Sequence, residues 1–186
     1  QIPTGTVEGY LYPDTYRVPF GSDARDIVAQ ILTKFDEVWT PRFDRRAHEL
    51  GMTRHEVVTL ASIVEAEARV SEERALVSAV YHNRLRIGMK LDADPTVAYA
   101  KGGYRGRLYY KDLEIDSPYN TYRRPGLPPG PIGNAGVESI RAALYPDESS
   151  RALFFVARGD GRHEFSATLK EHNAAIRRVR AANGTR

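Results

Sequence analysis

Two glutamates stand two positions apart in ASIVEAEARV, residues 61–70, inside one of the most apolar helical runs of the chain. A carboxyl group in such a place can lend and retrieve a proton near neutral pH if its surroundings make ionisation awkward. On a helix of about 100° per residue, the apolar stripe is Val57, Leu60, Ala61, Val64 and Ala68, widened by Val58 and Ile63, with Glu65 and Glu67 near its opposite edges. Residues two apart point about 200° away from each other, so the two acids have different neighbours. Glu67 falls in the last turn, where unpaired carbonyls make the local potential negative. Partial burial beside Val64 and Ala68 acts in the same direction, so its pKa is expected to rise. The plainer alternative pairs both glutamates with Arg69, Arg74 or another arginine, and spacing alone does not decide between the two.

Other chemistries lack their residues. His82, His163 and His172 do not show metal-ligand spacing, and with no cysteine in the chain no metal site is expected. Ser62 and Ser78 lack a nucleophile-elbow context, and no glycine-rich phosphate loop is present, so no cofactor is expected either. A carbohydrate cleft wants a buried acid, aromatic faces for sugar rings, and amide or guanidinium donors for hydroxyl and acetamido groups. Glu67, Tyr99, Tyr119, Tyr122, Asn83, Asn120 and Arg84 make up such a set.

The elements that must position these residues can be read from patterning. VEGYLYPDTYRV, residues 7–18, reads as two extended pieces joined at Pro13-Asp14, giving entry strands within 1–20. A helical core is expected over 22–101. Ser22 is read as the cap of its first helix, Pro41 opens a second, and Thr53 with Glu56 forms a T-x-x-E capping box for the helix that carries the glutamates. Ser71 is read as the cap of SEERALVSAVYHNRLRIG, and Asp94-Pro95 opens a short helix through Tyr99. Residues 116–136 then contain five prolines and four glycines, too many for a helix or an interior strand, and are expected to wall a cleft. VESIRAAL is a short helix, ALFFVAR and HEFSA flank GDGR in a hairpin over 152–167, and Thr168 with Glu171 caps a terminal helix over 168–183. Segregated helices with a few hairpin strands define an α+β fold: a mainly helical core with a long Pro/Gly-rich loop and small hairpin strands.

The 186 residues, 41% of them hydrophobic, suffice for a single domain with a real core. The absence of cysteine fits cytoplasm and cell envelope equally well. The charge of +3 comes from 27 basic and 24 acidic residues mixed along the chain, which excludes a polybasic stripe for nucleic acid. The basic residues are mostly arginine, which suits an anionic substrate and equally a GC-rich coding bias. The chain begins at Gln1 and has no apolar run near the roughly 20 residues that span a bilayer, so it reads as a soluble piece of something longer.

The run LASIVEAEARVSEERALVSAVYHNRLRIGMKLDADPTVAYA, followed by DSPYNTYRRPGLPPGPIGNAG and then by HEF and EHN, resembles the catalytic domain of the MltG/YceG family of endolytic murein transglycosylases. VEGYLYPDTY is similar to that family's entry motif, and the resemblance covers nearly the whole chain in order. It implies that Glu67, the second acid of I-[IV]-E-x-E, is the catalyst and that Glu65 orients it or the substrate. It further implies a cleft formed by Asn83, Arg84, Asp94, Thr96 and Tyr99, by Tyr119, Asn120, Thr121 and Tyr122, and by the Leu127–Ile132 wall with Pro128 and Pro129. His163 and Phe165 match the H-x-F hairpin and are expected to bind substrate, and His172 with Asn173 match the H-N pair; the alternative for either motif is that it braces the fold.

By the same resemblance, the expected activity is cleavage of the β-1,4 bond between N-acetylmuramic acid and N-acetylglucosamine, leaving 1,6-anhydromuramyl ends and terminating nascent strands. The expected partners are peptidoglycan glycan strands and cell-wall synthases. The parent protein is expected to be anchored in the cytoplasmic membrane, with this domain on the outer face. Two rivals stay open: a muramidase-type hydrolase pairing Glu67 with Asp94, and a non-catalytic glycan-binding or scaffold module of cell-wall synthesis.

Overall fold

The structure, a computed structural model, describes residues 5–103, 106 and 108–184. Its helices are α1 (Ala24–Val38), α2 (Pro41–Glu49), α3 (Arg54–Glu67), α4 (Arg74–Arg86), α5 (Asp94–Ala100), α6 (Val137–Leu144) and α7 (Leu169–Ala182). One antiparallel hairpin, β1 (Phe154–Ala157) with β2 (His163–Ser166), sets Phe154 opposite Ser166 and Ala157 opposite His163. The architecture is mainly helical with one two-stranded hairpin, an α+β fold.

Helix α3 is the axis of the molecule. Its start is fixed by the capping box, in which Thr53 Oγ1 accepts the Glu56 N–H and Glu56 accepts the Thr53 N–H. Every residue from Val57 to Val64 is buried, so the helix is covered on all sides rather than along one stripe. It packs chiefly on α6, and also on α4, α5 and α2. Two polar residues within this buried run would be costly without partners. Thr59 Oγ1 donates to the His55 carbonyl at 2.7 Å, and Ser62 Oγ donates to the Thr59 carbonyl while accepting the Ile132 N–H at 3.0 Å. The Ile132 bond ties the Pro/Gly-rich loop to the core helix.

Three local expectations are corrected. Residues 5–20 form turns and irregular chain, with no strand, and residues 1–4 lie outside the described residues. The backbone donors of this segment are met by a side chain instead of a ladder: the Gly9 and Leu11 N–H groups both donate to Asn134 Oδ1, at 2.9 and 3.2 Å. Asp23, not Ser22, caps α1, because the Ser22 hydroxyl donates back to the Pro19 carbonyl. Finally, Ser71–Glu73 winds as a 3₁₀ turn and α4 begins only at Arg74.

The hairpin and α7 pack together, and β1 also meets α4. A second capping box, Thr168 with Glu171, starts α7 immediately after β2. These late elements stand opposite the end of α3, and a cavity forms between them.

Candidate active site

Glu67 is the last residue of α3, and the helix closes behind it where the Ala68 N–H donates to the Val64 carbonyl. Its side chain faces a cavity of about 470 Å³ walled by Tyr81 and Arg84 of α4, the 91–94 segment, Tyr122, the hairpin, and Leu169, His172 and Ile176 of α7. Tyr81 is fully buried and donates its hydroxyl to Glu67 Oε1 at 3.1 Å. Burial pushes the Glu67 carboxyl up to about 7. The Asp94 carboxylate adds to the rise, and the Tyr81 bond works against it by stabilising the ionised form. The carboxyl is therefore half protonated near neutrality.

Neighbouring groups are held in place. Tyr122 donates to Asp94 Oδ1 at 2.6 Å, and burial followed by that carboxylate pushes its hydroxyl pKa up. Arg84 does not pair with Glu67. Its Nε donates to the Leu153 carbonyl at 2.6 Å and Nη1 to the Leu91 carbonyl at 2.8 Å, so it clamps the 90–92 segment to the chain entering β1. Nη1 also lies 3.3 Å from Asp92 Oδ2. Asp92 adopts a φ of +46°, a left-handed conformation uncommon outside glycine. That turn sets the Asp92 carboxyl in the cavity wall beside Asp94.

The arginine-paired alternative holds for Glu65 alone. Its carboxylate lies 3.6 Å from Arg74 Nη2 and accepts the Gly136 N–H at 3.2 Å, tying α3 to the start of α6 away from the Glu67 cavity. Of the residues expected around the acid, the structure brings Arg84, Asp94, Tyr122 and His163 into that cavity, and His172 of the H-N pair joins them. Several others are not in its wall. Asn83 donates to the Ser150 and Ala152 carbonyls. Asn120 donates to the Leu113 and Ile115 carbonyls. Thr96 and Thr121 bond each other at 2.9 Å inside the core. Tyr99 and Tyr119 pack on each other with rings tilted by 46° and centroids 4.8 Å apart, and Phe165 packs on Phe155. Pro128 and Pro129 wall a larger cavity of about 1010 Å³, together with His55, His82 and Asn83, which shares no residue with the Glu67 cavity. The Pro/Gly-rich loop thus contributes Tyr122 to the acid's surroundings, and its prolines face elsewhere.

Tyr81, Asp92, Phe154, Phe155, Leu169 and Ile176 also line the cavity and were not singled out by sequence reasoning. Tyr81 had a signal: a hydroxyl inside the apolar turn AVY of a buried helix needs an acceptor. The last-turn glutamate was an available one.

The site is thus a buried glutamic acid, raised to about 7, that lines a cavity of a mainly helical α+β domain. The chain belongs to the YceG-like family, whose model matches residues 2–178. It is 43% identical over 173 residues to an endolytic murein transglycosylase of Bacillus subtilis, covering 91% of this chain and 47% of that protein. A protein of the same description from Streptococcus pneumoniae is 28% identical over 175 residues, which is 32% of its length. The crystal structure of a yceG-like protein from Listeria monocytogenes superposes with a TM-score of 0.83 at 43% identity, covering 90% of this chain and 54% of that one. The chain thus spans less than half the length of the two murein transglycosylases and just over half of the Listeria chain.

Proposed function

We propose that this domain cuts peptidoglycan glycan strands at the bond between N-acetylmuramic acid and N-acetylglucosamine, with Glu67 as the one acid–base group. The carrying observation is a glutamic acid raised to about 7 that lines a cavity and is held by a tyrosine hydroxyl. Protonated Glu67 donates to the glycosidic oxygen as positive charge develops at the muramyl anomeric carbon. The Asp94 carboxylate, fixed by Tyr122, lies in the same cavity and favours that charge. Glu67, now ionised and steadied by Tyr81, takes the proton from the sugar's own 6-hydroxyl, whose oxygen closes the 1,6-anhydro ring. Because this nucleophile is tethered within the substrate, proximity replaces an activated water.

The Asp94 carboxylate also favours a second reading, hydrolysis, in which it orients a water. Mass spectrometry of digested strands separates the two, since anhydro ends weigh one water less than reducing ends. Glu67→Gln is expected to fold and to leave strands uncut. Cutting by that variant at the wild-type rate would overturn both readings, and a wild-type domain that binds strands without shortening them would be the scaffold module instead.

The parent protein, on this reading, is anchored in the cytoplasmic membrane, carries this domain on the outer face beside the cell-wall synthases, and ends nascent strands by cutting them. The support is the family and the greater length of the relatives. Among the described residues no helix is long and apolar enough to cross a membrane. Fractionation of the full-length protein tests the anchor.

A further inference from the structure

A second acid is buried behind the cavity wall. Glu73 is 6% exposed, ends the 3₁₀ turn and stands at the N-terminus of α4, where a negative charge is favoured. Its carboxylate accepts the His163 backbone N–H, at 3.0 Å to Oε2, and meets His163 Nδ1 at 2.8 Å. Arg162 Nη1 lies 3.9 Å from its other oxygen. A carboxylate only accepts, so an imidazole hydrogen is on Nδ1, and in the tautomer with that single hydrogen Nε2 is an acceptor. His163 lines the Glu67 cavity, and Nε2 has no hydrogen-bond partner among the described residues. The ring is held edge-on to Phe155 at 5.1 Å, and Phe155 is edge-on to Tyr81, the residue that holds Glu67. Were the imidazole only a tie between α4 and the hairpin, the backbone N–H bond to Glu73 would already make that tie. The other ring nitrogen is left where it can be reached from the cavity, open to a donor that enters it.

This inference rests on cleavage at Glu67 and extends it to substrate recognition. We propose that Glu73 and His163 form a fixed acceptor pair, in which Glu73 positions the imidazole and Nε2 takes a hydrogen bond from an O–H or N–H donor of the bound amino sugar. His163 is then a substrate contact and Glu73 a positioning residue.

His163→Asn separates this role from bracing, because the asparagine amide N–H replaces Nδ1 toward Glu73 and leaves nothing at the place of Nε2. With stem-peptide-free glycan strands as substrate, this variant is expected to melt like the wild type. Its kcat/KM is expected to fall about tenfold, mostly through KM, the loss of one hydrogen bond to bound sugar. His163→Gln, whose amide reaches the Nε2 position, recovers most of the loss. Glu73→Ala raises KM in the same sense, and Glu73→Gln, which still accepts from Nδ1, rescues it. A folded His163→Asn with wild-type kcat/KM overturns the pair. If that variant melts lower, imidazole ¹⁵N resonances of the cleavage-deficient Glu67→Gln decide: saturating strands move Nε2 if the contact is made, and an unmoved Nε2 overturns it. An inactive Glu67→Gln beside an unaffected His163→Asn rejects only the acceptor pair, whereas a fully active Glu67→Gln rejects the cleavage chemistry itself.

Discussion

A carboxyl that holds its proton to about pH 7 should leave that value in the kinetics, because only the protonated Glu67 can donate to a leaving oxygen. The kcat/KM profile is therefore expected to fall on an alkaline limb with an apparent pKa near 7. Its two polar neighbours move that limb in opposite directions. Tyr81→Phe removes a bond that stabilises the ionised form, so the limb moves to higher pH; Asp94→Asn removes a repelling charge, so it moves lower. Profiles of both variants check the pair of signs. The same group also destabilises the fold. Its folded pKa of about 7 exceeds the ordinary 4.5, so between these values the native state binds more protons than the unfolded chain and stability falls as pH rises. Glu67→Gln, which cannot ionise, is expected to gain up to about 3 kcal/mol at pH 8 and almost nothing at pH 4, read by urea denaturation at the two pH values. Position in the last turn was legible from the sequence, and so was the direction of the shift. The need of the Tyr81 hydroxyl for an acceptor was legible too, but not its choice of Glu67, because that bond links residues on two helices that only packing brings together.

At the scale of elements, the two capping boxes were readable, whereas the single-residue caps at Ser22 and Ser71 were misplaced and signals completed across the chain were missed. The capping boxes at Thr53 and Thr168 are written in side chains three apart and occur as expected. The entry segment had the alternation of a strand, but its donors are satisfied by Asn134 more than a hundred residues later, so no ladder forms. The one-sided stripe of α3 also misled, because Thr59 and Ser62 find backbone partners and the polar side of the helix can be covered. Gly9 marks the tightest joint between entry segment and loop. With φ +83°, it leaves a Cβ only 2.3 Å from Pro131 Cγ. Gly9→Ala is expected to cost about 2–4 kcal/mol from left-handed strain plus overpacking, measured by denaturation at constant pH. Activity per folded molecule should be little changed, since the joint lies outside the Glu67 cavity.

Across the whole molecule, the two cavities divide what the sequence had gathered into one cleft. Aromatic, amide and proline residues that looked like common lining are shared between a chamber around Glu67, a larger hollow beneath Pro128 and Pro129, and the core itself. Residue type had marked them as able to touch a sugar; only the path of the chain decides which of them face Glu67. The acid belongs to the first half of the chain, while the hairpin and α7, which close its chamber, belong to the last 33 residues. A nascent chain emerging from the ribosome therefore carries its reactive group long before it owns a vessel to use it in. Any chemistry done there must wait until the hairpin and α7 have been made, and a polypeptide released before them lacks that vessel however well its helical part has folded.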